Sequence, residues 1–431
     1  LDKATYNLQD MLIRDSTLAG RMREADPSLT NIDINMLAFP RKLFYFRHLI
    51  SGGARYGTDL QFAAIKETAP GFLEALVLAR DFQCVDPRDH IFALWNLARD
   101  KTGLDFRPSY EKKYEEVYAD FTREWILQHG TLDMLGAVEA AQKSNSFYQN
   151  VPSWCPDWNA PATASCLVRK DYIPTRMMFA LDDQDGALYS ADGDMNCDSF
   201  DNHPLFSFEG NTLHCTGTII DQINFILDDA PEIPTGTKFP RCDRESNWRY
   251  RCWTEELERH YKKKELSTYD DPLQAACAMF HGDMPTAWPL PKDSGYSTTA
   301  YDSDEQYVCL PQLARHVLKY ADSYDRTSAW GVVKSVLRGR RPFVSDKGYM
   351  GLAPDFVTGM DSSKPWLLAV VAGCSVPLLL REREDKGAYQ LIGTCFVQGW
   401  MEGEWMDMIK GARSPTEFWD AIKDDTKLKI W

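Results

Sequence analysis

The chain has no basic block. Its 48 Lys and Arg are outnumbered by 63 Asp and Glu over 431 residues, a formal charge of −15. Duplex nucleic acid and anionic membrane surfaces both need a positive footprint, so no nucleic-acid partner is expected. There is no long apolar run either. The longest, Trp366 to Leu380, is shorter than a bilayer span and is broken by Gly373, Ser375 and Pro377, so no membrane span is expected. The eleven cysteines are odd in number and scattered, with no C-x-x-C pair, which argues against a secreted disulfide framework. There is no N-x-[ST] acceptor, no P-loop lysine motif and no G-x-G-x-x-G. Together these absences point to a cytoplasmic protein without a cofactor. The start, Leu1-Asp2-Lys3, has neither an initiator Met nor an apolar leader, and is read as the start of a fragment or processed product.

What is present is apolar and aromatic. Hydrophobic residues make up 44% of the chain and include thirteen Trp, enough to bury a large core and exclude disorder. Residues 1–150 read as mostly helical. Leu8, Met11, Leu12 and Leu18 lie near helical spacing, and Phe72, Leu73, Leu76 and Val77 share a face. Asp86-Pro87-Arg88-Asp89-His90 reads as a helix start, with Asp86 as N-cap and Pro87 in the first turn. Pro108-Ser109 opens another helix, with a stripe of Tyr110, Tyr114, Val117, Tyr118, Phe121 and Trp125 and a stop at Gly130.

Residues 151–337 mix strands and helices, with strand-like runs at 177–181, 187–190, 205–208 and 212–227. Residues 338–410 are strand-like almost throughout, with turn signals at Asp346-Lys347-Gly348 and Asp385-Lys386-Gly387. They are expected to complete a sheet with 175–228, and 411–431 to form a C-terminal helix or tail. The fold class that follows is α+β: a helical N-terminal part and inserted helices packed on a C-terminal antiparallel, barrel-like β-sheet.

Three blocks resemble the fungal heterokaryon-incompatibility (HET) family. The first runs from Arg80 through Asp86-Pro87-Arg88-Asp89-His90-Ile91-Phe92-Ala93-Leu94, followed by Pro108-Ser109-Tyr110 and Val117-Tyr118. The second is Val151-Pro152-Ser153-Trp154-Cys155-Pro156-Asp157-Trp158. The third runs from Gly339 to Glu404 and includes Lys347-Gly348-Tyr349-Met350-Gly351-Leu352 and Gly399-Trp400-Met401-Glu402-Gly403-Glu404. Their order and spacing agree with the family over most of residues 70–405. The family's amino-terminal module resembles TIR domains and is implicated in programmed cell death when incompatible cells fuse. Its A-L-S-Y-x-W-G and W-I-D-x-x-C-I-N-Q blocks are absent here. The resemblance therefore implies the tail of that module plus a long C-terminal region. No NAD-cleaving residue can be carried over.

Chemistry-bearing residues are few. Asp86, Arg88, Asp89 and His90 form the densest polar group and are the acid/base candidates together with Asp157. A capped helix start is their plainer explanation. Trp154, Trp158, Trp95 and Tyr349 are candidates for lining a ligand pocket, and the plainer reading of the two indoles is a Pro-bounded plug with Asp157 taking an indole N–H. Gly373-Cys374-Ser375-Val376-Pro377 fails the nucleophile-elbow pattern at Pro377, so Cys374 reads as a core thiol. Cys277 and His281 stand at i, i+4 without a second ligand pair, so no metal site is expected.

Three functions remain. The leading one is a regulatory and interaction scaffold in allorecognition or cell-death signalling, with a protein partner. The second is the same scaffold repurposed as a small-molecule enzyme of fungal secondary metabolism, taking a small apolar ligand. The third is a TIR-like NAD-cleaving effector whose catalytic half lies outside this sequence.

Overall fold

The computed structural model describes residues 71–168, 189–193, 205–232, 244–262, 268–269, 272–280, 336–358, 364–404 and 427–431, except 81, 97, 99, 101–102 and 140–146. The helix expected in 1–40, the strands at 177–181 and 187–188, the helices between 281 and 335, and the helix expected in 411–426 lie outside the described residues, as do the Cys277 side chain and His281.

Few helices accompany one large sheet. The helices are α1 (Phe72–Ala79), α2 (Asp89–Phe92), α3 (Tyr114–His129), α4 (Phe147–Asn150), α5 (Arg244–Lys262) and α6 (Pro272–Phe280). A 3₁₀ turn covers Asp133–Ala137. α3 buries Val117, Tyr118, Phe121, Thr122, Trp125 and Ile126, one face at helical spacing. Gly130 ends it at φ 63°, and its N–H returns to the Ile126 carbonyl, a left-handed C-cap that glycine adopts without a Cβ penalty.

Two expectations for this layer change. The helix placed from Pro87 onward shortens to the single turn α2, although Asp86 keeps a cap-like bond, its Oδ1 accepting from the Arg88 N–H (3.0 Å) two residues on. The helix placed at Pro108 starts at Tyr114. Tyr110 stays outside it because its hydroxyl donates to Asp89 Oδ1 (2.6 Å) and its carbonyl accepts from Arg88.

The strands are β1 (Phe206–Glu209), β2 (Thr212–Ile226), β3 (Arg340–Ser345), β4 (Met350–Pro354), β5 (Leu367–Val371), β6 (Leu378–Arg383), β7 (Ala388–Thr394), β8 (Phe396–Val397) and β9 (Lys427–Ile430). Their order is β5-β6-β7-β9-β2-β3-β4-β8, with β1 also on β2 and β5 also on β2. The path β2–β5–β6–β7–β9 thus returns to β2. One long strand makes this possible. β2 pairs with β1 and β9 over 212–216, with β5 over 217–222 and with β3 over 223–226. Register shifts between Ile219 and Asp221 and between Ile223 and Phe225 bend it, as bulges do.

Gly217 lies where these strands converge. A Cβ there would meet the Val370 carbonyl at 2.9 Å and Leu428 Cδ1 at 3.0 Å. β4 and most of β5 are buried along their length, which explains why those runs are continuously apolar instead of alternating. The described end of the 411–431 segment is a strand, not a helix. Lys427 and Lys429 face solvent while Leu428 and Ile430 are buried, the period-2 pattern of a half-buried strand.

The helical layer docks at the β5–β6 turn. The Leu132 N–H (2.6 Å) and the Thr131 hydroxyl (3.0 Å) donate to the Gly373 carbonyl. Gly373 N–H donates to Asp192 and Ser375 N–H to Asp133. The Gly373-Cys374-Ser375 stretch is therefore an anchoring turn. The Cys374 thiol is fully buried, and burial raises its pKa well above the ordinary value, so it holds no thiolate.

Candidate functional site

The first two sequence blocks meet at Arg80. This residue caps the end of α1 and is 5% exposed. Its guanidinium donates to three main-chain carbonyls: Ala137 (Nη1, 2.6 Å), Ala160 (Nε, 3.1 Å) and Asp157 (Nη2, 3.2 Å). It also lies 5.5 Å from the centre of the Trp158 ring. An arginine fork suits this task, because its fixed donors reach several acceptors at once.

His90 lies beside this junction and is 9% exposed. No hydrogen bond joins its ring to a described residue. Burial, then Arg80, hold its pKa below the ordinary value, against the opposing pull of Asp157 and Asp89. The imidazole is therefore neutral at pH 7. Asp157 is more buried still, at 6% exposed. Its Oδ1 accepts from the Asn159 N–H (3.1 Å), and its own N–H donates to the Tyr148 hydroxyl (3.3 Å). Tyr118, fully buried on α3, donates to the Pro87 carbonyl (2.5 Å). Burial raises the pKa of both phenols far beyond the ordinary range.

The rest of the polar cluster faces the other way and is engaged. Arg88 bonds both Asp86 oxygens (2.9 and 2.7 Å) and the carbonyls of Tyr110 (2.5 Å) and Lys112 (2.8 Å). The Arg88 bond holds the Asp86 carboxyl below its usual range. An ionised Asp86 has no proton to give, and Asp89 is held by Tyr110. Cys84 receives the His90 N–H, yet burial and the neighbouring carboxylates raise its pKa, so it lacks the thiolate a nucleophile needs.

The structure gathers His90, Asp157 and Trp158 with Arg80 and Tyr148. It leaves Asp86, Arg88 and Asp89 on the Tyr110 side. The other aromatic candidates have separate neighbours. Trp154 is fully buried, donates from Nε1 to the Asn211 carbonyl (2.9 Å) and packs on Phe208 at 5.0 Å. The expected Asp157–indole bond is not made to Trp154, and Trp158 Nε1 has no partner. Trp95 sits between Phe72 (5.7 Å) and Phe106 (5.3 Å). Tyr349 sits at the β3–β4 end with Trp400 (5.1 Å) and Tyr269 (6.3 Å).

Sequence reasoning missed Arg80, Tyr148, Ser153 and Arg340. Ser153 accepts from the Leu391 N–H (2.8 Å) and donates to the Trp431 main-chain oxygen (2.7 Å), tying the second block to β7 and to the residue after β9. Arg340, 3% exposed, donates to the carbonyls of Thr394 (2.8 Å) and Ser165 (2.9 Å). The signal for Arg80 was present: one basic residue closing the apolar run Phe72–Ala79. Nothing in the spacing marks Ser153 or Arg340. Among the described residues no three His, Cys, Asp or Glu gather as metal ligands, and no helix is long and apolar enough to cross a membrane.

These observations define a mixed α and β protein whose large sheet is tied to the helical layer by main-chain, hydroxyl and carboxylate hydrogen bonds, with buried arginines joining segments on either side. Residues 236–413 match the family model of the Het-6 beta-barrel domain. The match covers α5, α6 and β3 to β8, contains the third sequence block, and is consistent with a fungal HET-related family. It stops short of β1, β2 and β9. No curated protein and no solved structure matches the chain.

Proposed function

We infer that this HET-like protein acts as a regulatory and interaction scaffold in allorecognition or programmed cell-death signalling, in the cytoplasm, through a protein partner. We read its sheet as a closed barrel, with residues 1–150 as the helical tail of a HET-like module, 151–337 as a mixed segment and 338–410 as the main β region. The observation that carries the functional reading is the use made of the first two blocks. Arg80, Ser153, Trp154 and the Asp157 main chain are all spent on internal bonds that join separate segments. Polar groups committed in this way position a surface and do not turn over a substrate.

The test is expression of the chain in a fungal host, scored for growth arrest and cell death, beside NAD consumption by the purified protein. The scaffold reading expects His90→Ala and Asp157→Asn to keep the phenotype while Arg80→Ala loses it with the fold. Loss of the phenotype in a well-folded H90A would overturn it.

One observation favours the enzyme reading: a neutral, nine-tenths-buried imidazole with no hydrogen-bond partner among the described residues, electrostatically coupled to Asp157. That reading expects a small apolar ligand to perturb the His90 ring resonances in NMR. Resonances that no compound of an apolar fragment set shifts would refute it.

A further inference from the structure

β9 is joined by a short turn to none of the strands it pairs with, unlike β2, β5, β6 and β7. β6 is joined by short turns to both of its neighbours, β5 and β7, whereas the neighbours of β9, β7 and β2, are remote from it in sequence. Its hold is local. It makes four antiparallel register pairs with β2, from Leu213↔Ile430 to Thr216↔Lys427, and one parallel pair with β7, Tyr389↔Ile430. Trp431 N–H adds a bond to the Tyr389 carbonyl (2.9 Å). Two side chains, Leu428 and Ile430, are buried. The Trp431 ring lies under Arg383 (4.6 Å) and Lys386 (4.1 Å), and Ser153 clamps the Trp431 main-chain oxygen.

We propose that β9 is a releasable strand, and that the slot it vacates between β2 and β7 accepts the same strand from a second copy of the chain. No short turn joins β9 to β7 or to β2, so its opening does not require theirs. It leaves two facing strand edges with unpaired N–H and C=O groups, spaced for one strand, which is the geometry of strand addition. The occupant is set by the pattern already seated there. An alternating Lys-Leu-Lys-Ile strand fits two apolar positions inward and two lysines outward, and the second copy carries the same segment in the same register.

The experiment uses the full chain and its Ser153→Ala variant. Hydrogen exchange is read at β9 and at β5, together with binding of a fluorescent peptide spanning Lys427–Trp431. The β9 amides are expected to exchange at least about tenfold faster than those of Leu368–Val371, because only local opening is required. S153A should speed β9 by about a further tenfold and leave β5 unchanged. The peptide should bind saturably, more tightly to S153A, and a peptide carrying Ile430→Asp should not. Native mass spectrometry should show a dimer that the peptide disperses. A common exchange rate for β9 and β5, or release without saturable peptide binding, overturns the proposal. Peptide binding by a chain that stays monomeric at every concentration overturns the second copy as occupant and points to an unlike partner's strand.

Discussion

Replacing Arg80 by Ala should be among the most damaging single changes outside the sheet. The guanidinium holds three carbonyls, at 2.6, 3.1 and 3.2 Å, that lie 57, 80 and 77 residues away. Each bond is worth about 1 kcal/mol net, and a buried acceptor left unsatisfied adds to the cost, so the bonds alone come to about 3 kcal/mol. Loss of the packed stem and of the contact with Trp158 adds about 1 kcal/mol. The total, about 3–5 kcal/mol, should appear as a lower urea midpoint and as faster amide exchange at 157–160. Arg80→Met keeps most of the stem and should cost about 3 kcal/mol. Arg80→Lys keeps the charge but cannot span three acceptors, and should recover less than half of the loss. Both R80A and R80M within about 0.5 kcal/mol of the native chain, or R80K equal to it, would refute the reasoning.

The pair of His129 and Asp100 predicts a pH dependence. His129 Nε2 lies 3.3 Å from Asp100, its Nδ1 lies 2.9 Å from the Trp125 carbonyl, and the ring stacks on Trp125. Burial lowers its pKa, but the Asp100 and Trp125 bonds outweigh this and raise it, while Asp100 is lowered by the same pairing against its own burial. The raised His stabilises fully below its unfolded value of about 6.5 and loses that contribution as pH rises through its folded pKa. The lowered Asp stabilises above about 4 and loses its contribution as pH falls through its folded pKa. The gap between the native chain and His129→Gln, about 1 kcal/mol, should be widest between roughly pH 4 and 6.5; a gap that grows above pH 8 would contradict this. Gly217→Ala should lower the melting transition by about 1–3 kcal/mol, because the new methyl meets a carbonyl and Leu428; an unchanged melting temperature would show that the strands yield there. A fragment of residues 236–413 alone lacks β2, which joins β3, β5 and β9, and should fail to give the cooperative melt expected of 71–431; a sharp transition in the short fragment would count against the need for β2.

Some of this was legible from residues read in order. The buried face of α3 and its stop at Gly130 follow from helical spacing and from the one residue that adopts φ 63° freely. The runs 342–345, 349–352, 367–372, 376–381 and 389–397 announced strands through their β-branched and apolar content and the turn pairs between them, whereas Trp400 and Met401, also strand-like in sequence, lie in a turn. The single-turn length of α2 was not legible. Asp86 has the chemistry of an N-cap and does take the N–H two residues on, but nothing in the local spacing marked that the helix would end at Phe92. The strand at 427–430 was passed over because four residues give too short a window, although Lys-Leu-Lys-Ile alternates as a half-buried strand must.

Sequence alone determined the polarity of each face, the acidic surface, the absence of phosphate-binding and metal motifs among its patterns, and the resemblance in three ordered blocks, since these depend on residue type and local spacing. Tertiary structure alone decided what the blocks do. Arg80 finds Asp157 77 residues away, Ser153 finds Leu391 238 residues away, and β2 finds β9 from the far end of the described chain. A hydrogen-bond donor carries no mark of which distant acceptor it will meet. That is set by which strands and helices pack together to bury the apolar core, and the buried polar groups then bond whatever that packing brings within reach.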